Sequence, residues 1–203
     1  MHTYRPSEGH GLKHNPFASI IAPRPIGWIS SKDALGNVNL APYSFFNAFN
    51  YTPPIIGFSS VGYKDTVSNI SETGEFCWNF VSQSLAIKMN QTSKAVASEC
   101  DEFELAGLTK KPSSEISVPH VQESPVVMEC KKSQIVQLSS AAGETVESYM
   151  VLGEVVCVHI HQDMIKDGVF DLLKADPVLR AGGQGDYFTL SAQHMFEMIR
   201  PQS

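Results

Sequence analysis

The chain has 203 residues, of which 42% are hydrophobic and 18% charged, and its formal net charge is −6. This composition fits a folded core and argues against both a disordered chain and nucleic-acid binding through a basic surface. The sequence has no run of 18 apolar residues and no apolar signal core in its first ten residues. It therefore predicts no membrane span and a cytoplasmic location.

Alternating apolar residues predict a mainly β chain with a few short helices, behind an irregular leader at about residues 1–16. Strands are expected at about 25–31, 37–41, 54–60, 75–81, 126–130, 133–138, 147–161 and 187–190. Helices are expected at 65–73 and about 84–97, with a surface excursion at 98–124 and a short helix within 162–180. This order favours an antiparallel barrel or sandwich with appended helices, in one domain over 1–203.

The first predicted helix carries its own boundary signals. Asp65 is placed to cap its N-terminus, and Gly74 is placed to end it in a left-handed conformation. A phosphate would find charge-assisted donors here in Lys64 and Thr66, beside the free amides of the first turn. Alternatively, Lys64 is a solvated surface lysine and Asp65 is only a cap, because a carboxylate repels phosphate.

The most informative stretch runs from Pro23 to Asn47. It reads as a strand, a hairpin turn, a second short strand and then a loop. Asn39 in the second strand and Ser44 and Asn47 in the loop share this segment with the aromatic residues Tyr43, Phe45 and Phe46. Packed aromatics beside clustered hydroxyls and amides suit a flat ring with a polar edge and a phosphate tail, such as flavin mononucleotide (FMN). Trp28 has a second interpretation, as core or interface packing.

The cysteines and histidines are scattered. Without a CxxC pair or a secretion signal, the four cysteines are expected to be reduced and mostly buried: Cys77, Cys100, Cys130 and Cys157. His159 and His161 would share one face of a strand, but only Asp163 offers a third ligand nearby. We therefore predict no metal site.

Several motifs occur in order and together resemble the flavin reductase-like family of FMN-binding split barrels. That family includes flavoredoxins and the reductase components of two-component monooxygenases. The resemblance covers about residues 17–190. The motifs are Arg24-Pro25-Ile26, Asn39-Leu40-Ala41-Pro42-Tyr43-Ser44-Phe45-Phe46, Lys64-Asp65-Thr66, Asn69 to Phe76, Gly153-Glu154-Val155 and Pro177-Val178-Leu179-Arg180.

The resemblance implies a Greek-key split barrel, a homodimer, and FMN near the subunit interface, with FAD as the alternative flavin. The flavin ring would lie against the strand at Trp28 and the loop Ala41–Phe46, with Ser30, Ser44, Lys64 and Thr66 at the phosphate and ribityl chain. The full set of expected cofactor contacts is Trp28, Ile29, Ser30, Asn39, Ala41, Pro42, Tyr43, Ser44, Phe45, Phe46, Lys64, Asp65, Thr66 and Arg180.

Three functions stay open from the sequence. The first is an FMN-dependent oxidoreductase that takes a hydride from NADH or NADPH, which requires no catalytic side chain because the cofactor supplies the chemistry. The second is a flavoredoxin-like electron carrier without its own nicotinamide site, paired with a monooxygenase or redox protein. The third is a barrel without a cofactor. Access to the flavin face separates the first two, and Arg180 fits either a ligand phosphate or a surface ion pair.

Overall fold

Fourteen strands and five short α-helices make up the regular structure of residues 1–201, which the computed structural model describes. The strands are Arg24–Pro25 (β1), Gly27–Lys32 (β2), Val38–Tyr43 (β3), Phe46–Tyr51 (β4), Pro54–Val61 (β5), Glu75–Asn79 (β6), Lys110–Lys111 (β7), His120–Val121 (β8), Val126–Ser139 (β9), Thr145–Ile160 (β10), Ile165–Lys166 (β11), Val169–Phe170 (β12), Leu179–Arg180 (β13) and Tyr187–Phe188 (β14). The α-helices are Phe17–Ile20 (α1), Asp65–Thr73 (α2), Ala86–Gln91 (α3), Glu102–Leu105 (α4) and Leu172–Ala175 (α5). Within this range, none of the helices has the length and apolar character to cross a bilayer.

Seven strands form the main sheet in the order β3-β2-β6-β9-β10-β5-β4, and all neighbouring pairs are antiparallel. The outermost strands, β3 and β4, are consecutive in the chain and only Ser44 and Phe45 separate them. Three peptide units reach at most roughly 11 Å, so the two edges of the sheet have to come together. The sheet therefore curls into a barrel, which confirms the predicted mainly β, antiparallel fold with appended helices.

The inside of the barrel is filled by large apolar side chains. Phe58 is fully buried, with ring centroids 4.5 Å from Tyr43 and 6.0 Å from Phe76. Helix α2 contributes Val67 and Ile70 to the same cluster, because its apolar face turns toward the sheet. The other buried members are Ile29, Ile56, Cys130, Val151 and Val155.

A second apolar layer covers the outer face of β2 and β3. Trp28 is fully buried there, and its indole nitrogen donates to the Thr92 hydroxyl at 3.0 Å. Helices α3 and α4 supply Met89 and Phe103 to this layer. The Glu102 carboxylate accepts from the Leu40 amide at 3.0 Å, and burial raises the pKa of Glu102. Strand β2 is thus packed on both faces.

The structure corrects several predicted elements. Segment 46–51, expected to be loop, is the exposed edge strand β4, and an edge strand facing solvent shows no clean alternation. Segment 126–138, predicted as two strands, is one continuous strand. The helix predicted at 84–97 is only α3 and a preceding 3₁₀ turn, because the Thr92 and Ser93 hydroxyls bond the carbonyls of the last turn.

The boundaries of α2 are as predicted, but its N-cap is not. Lys64 is the N-cap and no side chain caps the helix, so the expected cap by Asp65 is wrong. The Asp65 carboxylate instead accepts from the Ser98 hydroxyl at 3.0 Å. Gly74 does end the helix with φ 77°, a left-handed conformation in which glycine avoids the penalty of a Cβ.

All four cysteines are free, as predicted. Cys77 and Cys130 are buried, while Cys100 and Cys157 are partly exposed. Burial raises the pKa of Cys77 to about 12, so its thiol stays protonated at neutral pH.

We expect Gly153→Ala to destabilise the fold by about 1–3 kcal/mol, because the added Cβ would overlap the ring of Phe76 inside the barrel. Urea denaturation measures the change. The matched control is Gly185→Ala, where nothing lies within 4 Å of the new atom, and its effect should stay within about 0.5 kcal/mol. Equal midpoints for Gly153→Ala and the parent would contradict the tight packing.

Candidate functional site

Arg24 holds the junction where the two edges of the sheet meet. Its Nε donates to the Ser44 carbonyl at 3.1 Å and its Nη2 to the Ala181 carbonyl at 3.3 Å, while Nη1 donates to Ala18. The guanidinium also lies 5.6 Å from the centroid of the Phe45 ring. One side chain thereby ties α1, the β3–β4 link and the end of β13 together.

A second arginine lies directly across from it. Arg24 and Arg180 are paired in the β1–β13 ladder, and burial together with the Arg180 charge lowers the pKa of Arg24. Arg180 donates to the carbonyls of Asp186 and Gln184 at 2.7 and 2.8 Å. Neither arginine forms an ion pair within residues 1–201, so the surface ion pair considered for Arg180 is not formed there. The two charges favour an anion at this corner.

A cavity of about 400 Å³ opens beside the junction. Most of its lining is apolar, and its polar groups are Arg24, Asn47 and Ser59. On one side Phe46 stacks on Trp78, with centroids 5.6 Å apart and planes 6° apart. A concave apolar site with few polar groups is typical of small-molecule binding. The complete lining is Ile21, Pro23, Arg24, Pro25, Phe45, Phe46, Asn47, Phe49, Ser59, Leu138 and Met150.

A larger groove of about 780 Å³ lies elsewhere, between the β11–β12 hairpin and residues 189–196. None of the residues predicted to bind the cofactor lines it. Size alone therefore does not make this groove the candidate site.

Buried hydroxyls and amides connect β3 to the start of α2. The Asn39 amide donates to the Thr66 hydroxyl at 2.8 Å. The Tyr43 phenol interacts with the hydroxyls of Thr66 and Ser60, and burial raises the pKa of Tyr43. These contacts fix the turn after β5 against β3, so the first turn of α2 has a defined position.

The start of α2 carries an unpaired cation. Lys64 is exposed and forms no ion pair within the described part of the chain. No side chain caps α2, so the amides of its first turn have no side-chain partner. Free amides, the helix dipole and a lysine together favour an anion such as phosphate.

The structure brings some of the predicted contacts together. Phe45 and Phe46 line the cavity, and Ser44 presents its carbonyl to Arg24 beside it. Asn39, Tyr43 and Thr66 form the network behind the turn, and Lys64 and Asp65 lie at the start of α2. Ala41 packs against the barrel core and Pro42 is partly buried.

The strand predicted to lie against the flavin ring is enclosed instead. Trp28 points into the outer layer, and Ile29 points into the barrel core. Ser30 is fully buried and accepts from the Asn79 amide at 3.3 Å. In this structure these three side chains support the site from behind, and none of them lines the cavity.

Sequence reasoning missed other residues of the site. The sequence indicated Arg24 only as part of a motif, because its role depends on carbonyl groups elsewhere in the chain. Ser59 and Phe49 line the cavity and Ser60 joins the buried network. Ser59 and Ser60 are polar residues near the end of the otherwise apolar strand β5, and this change from apolar to polar residues was the available sequence signal.

The sequence model of the flavin reductase like domain matches residues 20–178. The chain belongs to the flavin reductase-like family. A protein of Halalkalibacterium halodurans is 35% identical, covering 84% of this chain and 86% of its own length. Nitrilotriacetate monooxygenase component B from Bacillus cereus superposes with a TM-score of 0.87 at 30% identity over 98% of both chains. A protein of Shewanella frigidimarina with a split barrel domain superposes with a TM-score of 0.79 at 27% identity over 90% of both chains. The predicted family and split-barrel fold are confirmed.

We expect Thr66→Val to destabilise this protein by about 1–3 kcal/mol, because the Asn39 amide loses its 2.8 Å acceptor and the Tyr43 phenol loses one of its two hydroxyl partners. Thermal and urea unfolding measure the loss. Thr145→Val, at an exposed position, is the control and should change stability by less than about 0.5 kcal/mol. An unaltered midpoint for Thr66→Val would show that the network does not hold the turn.

Proposed function

We propose that this chain is an FMN-binding oxidoreductase that accepts reducing equivalents from NADH or NADPH. The observation that carries the proposal is the open cavity of about 400 Å³ at the junction of the sheet edges. Ser59 of its lining lies near the end of β5, from which the chain leads through Lys64 directly into α2. A bound flavin supplies hydride and electron transfer, and the protein supplies position and electrostatics.

The residues divide into two groups by chemistry. Phe45, Phe46, Asn47 and Ser59 offer aromatic surface and hydrogen bonds, which suit a flat ring with a polar edge. Lys64 and the free amides of the first turn of α2 suit the phosphate. FAD carries the same ring and phosphate chemistry and is the alternative flavin.

The buried residues of the predicted set act as support in this proposal. Asn39, Tyr43 and Thr66 fix the turn that presents Lys64, and Trp28, Ile29 and Ser30 hold β2 in place. Asp65 and Ser44 border the phosphate and ring regions, and Ala41 and Pro42 shape the strand between them. No side-chain acid or base is assigned, because hydride transfer to a flavin requires none.

The two arginines suit the binding of the hydride donor, NADH or NADPH, whose phosphates are negatively charged. Arg24 and Arg180 present two positive charges that no carboxylate of residues 1–201 neutralises. Arg180 is partly exposed and could meet the phosphates of a nicotinamide dinucleotide or a negative charge on the reduced ring.

The electron-carrier function predicts a covered flavin face. The cavity here is open to solvent in the single chain, and the exposed rings of Phe45 and Phe49 border it without closing it. This openness favours a reductase over a carrier, because a nicotinamide needs room to stack against the flavin.

A dimer and a protein partner belong to the same proposal. Strand β10 leaves Val156, Val158 and Ile160 exposed in a row, and an apolar row of this kind is typical of an interface. The Bacillus cereus protein is by its name one component of a monooxygenase, which supports a monooxygenase as the consumer of the electrons. The cytoplasmic location stays a prediction.

Replacing Lys64 by Ala should weaken FMN binding by about 1.5–3 kcal/mol, because the phosphate would lose a charge-assisted partner. Fluorescence titration with FMN at low and high salt measures the change, and the difference between variant and parent should shrink as salt rises. Lys174→Ala, which removes an exposed lysine of α5, should bind like the parent. Unchanged FMN affinity for Lys64→Ala at low salt would remove Lys64 from the site.

The function itself is tested by the visible spectrum of the protein with FMN added, followed by NADH or NADPH under nitrogen. We expect yellow protein whose flavin absorption bleaches at a catalytic rate with one of the two nicotinamides. Bound flavin that only dithionite reduces would favour the carrier. Failure to bind flavin would overturn the proposal.

A further inference from the structure

Three side chains that can bind metals meet on two neighbouring strands of the main sheet. Glu129 of β9 and Cys157 of β10 are directly opposite in the ladder, and His159 follows Cys157 by two residues on the same face. One ligand atom from each, Glu129 Oε1, Cys157 Sγ and His159 Nε2, lies within 4.8 Å of the others. The proposed flavin site uses none of them.

This cluster lies on the outer face of the barrel wall. Phe76, Cys130 and Val155 point into the barrel core. Because side chains alternate along a strand, the residues next to them, such as Cys77 and Glu129, point outward. Cys77 lies opposite Glu129 on its other side and packs outward against Val118. The cluster is therefore separated from the barrel interior by the sheet itself.

The distances are close to those of a tetrahedral metal site. Cys157 Sγ lies 3.7 Å from His159 Nε2, and zinc bond lengths with tetrahedral angles require about 3.6 Å. His159 Nε2 lies 2.5 Å from Glu129 Oε1, where a shared zinc ion requires about 3.3 Å. The second distance has to lengthen by about 0.8 Å, and the His159 side chain is 37% exposed, so its ring has room to move by that amount.

The carboxylate is already oriented for ligation. Glu129 is fully buried, and its two oxygens accept from the amides of Ser114 and Glu115, each at 2.7 Å. One lone pair of Glu129 Oε1 points at His159 Nε2. A metal ion can take the place of the proton that lies between these two atoms. His120 stacks on His159 with centroids 5.3 Å apart and restrains the ring. Such outer partners orient ligands in known metal sites.

We propose that Glu129, Cys157 and His159 bind one divalent transition metal ion, with Zn²⁺ as the fitting ion. A sulfur, a nitrogen and an oxygen ligand suit a borderline-soft cation and disfavour Mg²⁺ and Ca²⁺, which prefer oxygen alone. Binding releases the thiol proton of Cys157 to solvent, and the proton of the neutral His159 imidazole moves from Nε2 to Nδ1 through solvent, so that Nε2 can bind the metal. A water molecule completes the fourth position.

The ion would join three parts of the chain. Strands β9 and β10 supply the ligands, and the Glu129 carboxylate is in turn bonded to the amides of the excursion at Ser114 and Glu115. The site therefore forms only when the excursion is docked on the sheet. A ligand that binds only the folded chain raises its unfolding temperature.

The test is titration of the flavin-loaded, tag-free protein with Zn²⁺ by calorimetry and with Co²⁺ by absorption. Tetrahedral Co²⁺ has ligand-field bands at wavelengths longer than those at which flavin absorbs. We expect these bands to saturate at one ion per chain and Zn²⁺ to raise the unfolding temperature. Cys157→Ser and His159→Gln should each weaken Zn²⁺ binding by at least about tenfold and abolish or shift the Co²⁺ bands.

The controls are Cys100→Ser, the other partly exposed thiol, and His161→Gln, whose imidazole lies 3.7 Å from Asp163 instead. Both should bind like the parent. Absence of tetrahedral Co²⁺ bands, or Zn²⁺ affinity unchanged in Cys157→Ser, would overturn the proposal. Binding of several ions by exposed histidines near the N-terminus, insensitive to Cys157→Ser, would do the same.

Discussion

The buried guanidinium of Arg24 fixes the junction of the two sheet edges, and the candidate site depends on that junction. Its N–H groups donate hydrogen bonds to the carbonyls of Ala18, Ser44 and Ala181, which belong to three separate parts of the chain. Carbonyl oxygens satisfy the hydrogen bonds of the cation without neutralising its charge. The residue that closes the barrel therefore also makes the adjoining cavity electropositive.

The central strands carry no ligand surface because both of their faces are occupied. Ile29 fills the barrel core while Trp28 and Ser30 fill the outer layer, so β2 is inaccessible from either side. The surfaces available to a ligand are therefore on the edge strands and on the segments that connect them, where Phe45 and Phe46 line the cavity. This division is typical of domains in which a rigid scaffold positions functional loops.

Local signals made much of the fold predictable. The end of α2 follows from Gly74 and the main strands follow from alternation, whereas the start of α2 was predicted from an Asp65 cap that the structure does not have. The edge strand β4 was missed because solvent on one face removes the apolar pattern. Phe45 and Phe46, which the sequence predicted as cofactor contacts, line the cavity, but the sequence could not show that Trp28 faces away from it. The direction of a strand side chain depends on register, and the role of Arg24 depends on carbonyls far away in the chain.

One irregularity in β10 decides which side chains meet on the outer face. Val155 pairs with Cys130 and Cys157 pairs with Glu129, so Val156 is an extra residue in the ladder. Without it, Cys157 would lie opposite Met128 and point toward the barrel side, and His159 would turn with it. A bulge costs ladder hydrogen bonds, and here it aligns a thiol and an imidazole with a carboxylate that backbone amides already orient. The same shift places Val158 and Ile160 on the other face of the strand, opposite Met128 and Val126, so the alignment of the metal ligands and the position of these two exposed apolar residues are consequences of one inserted residue.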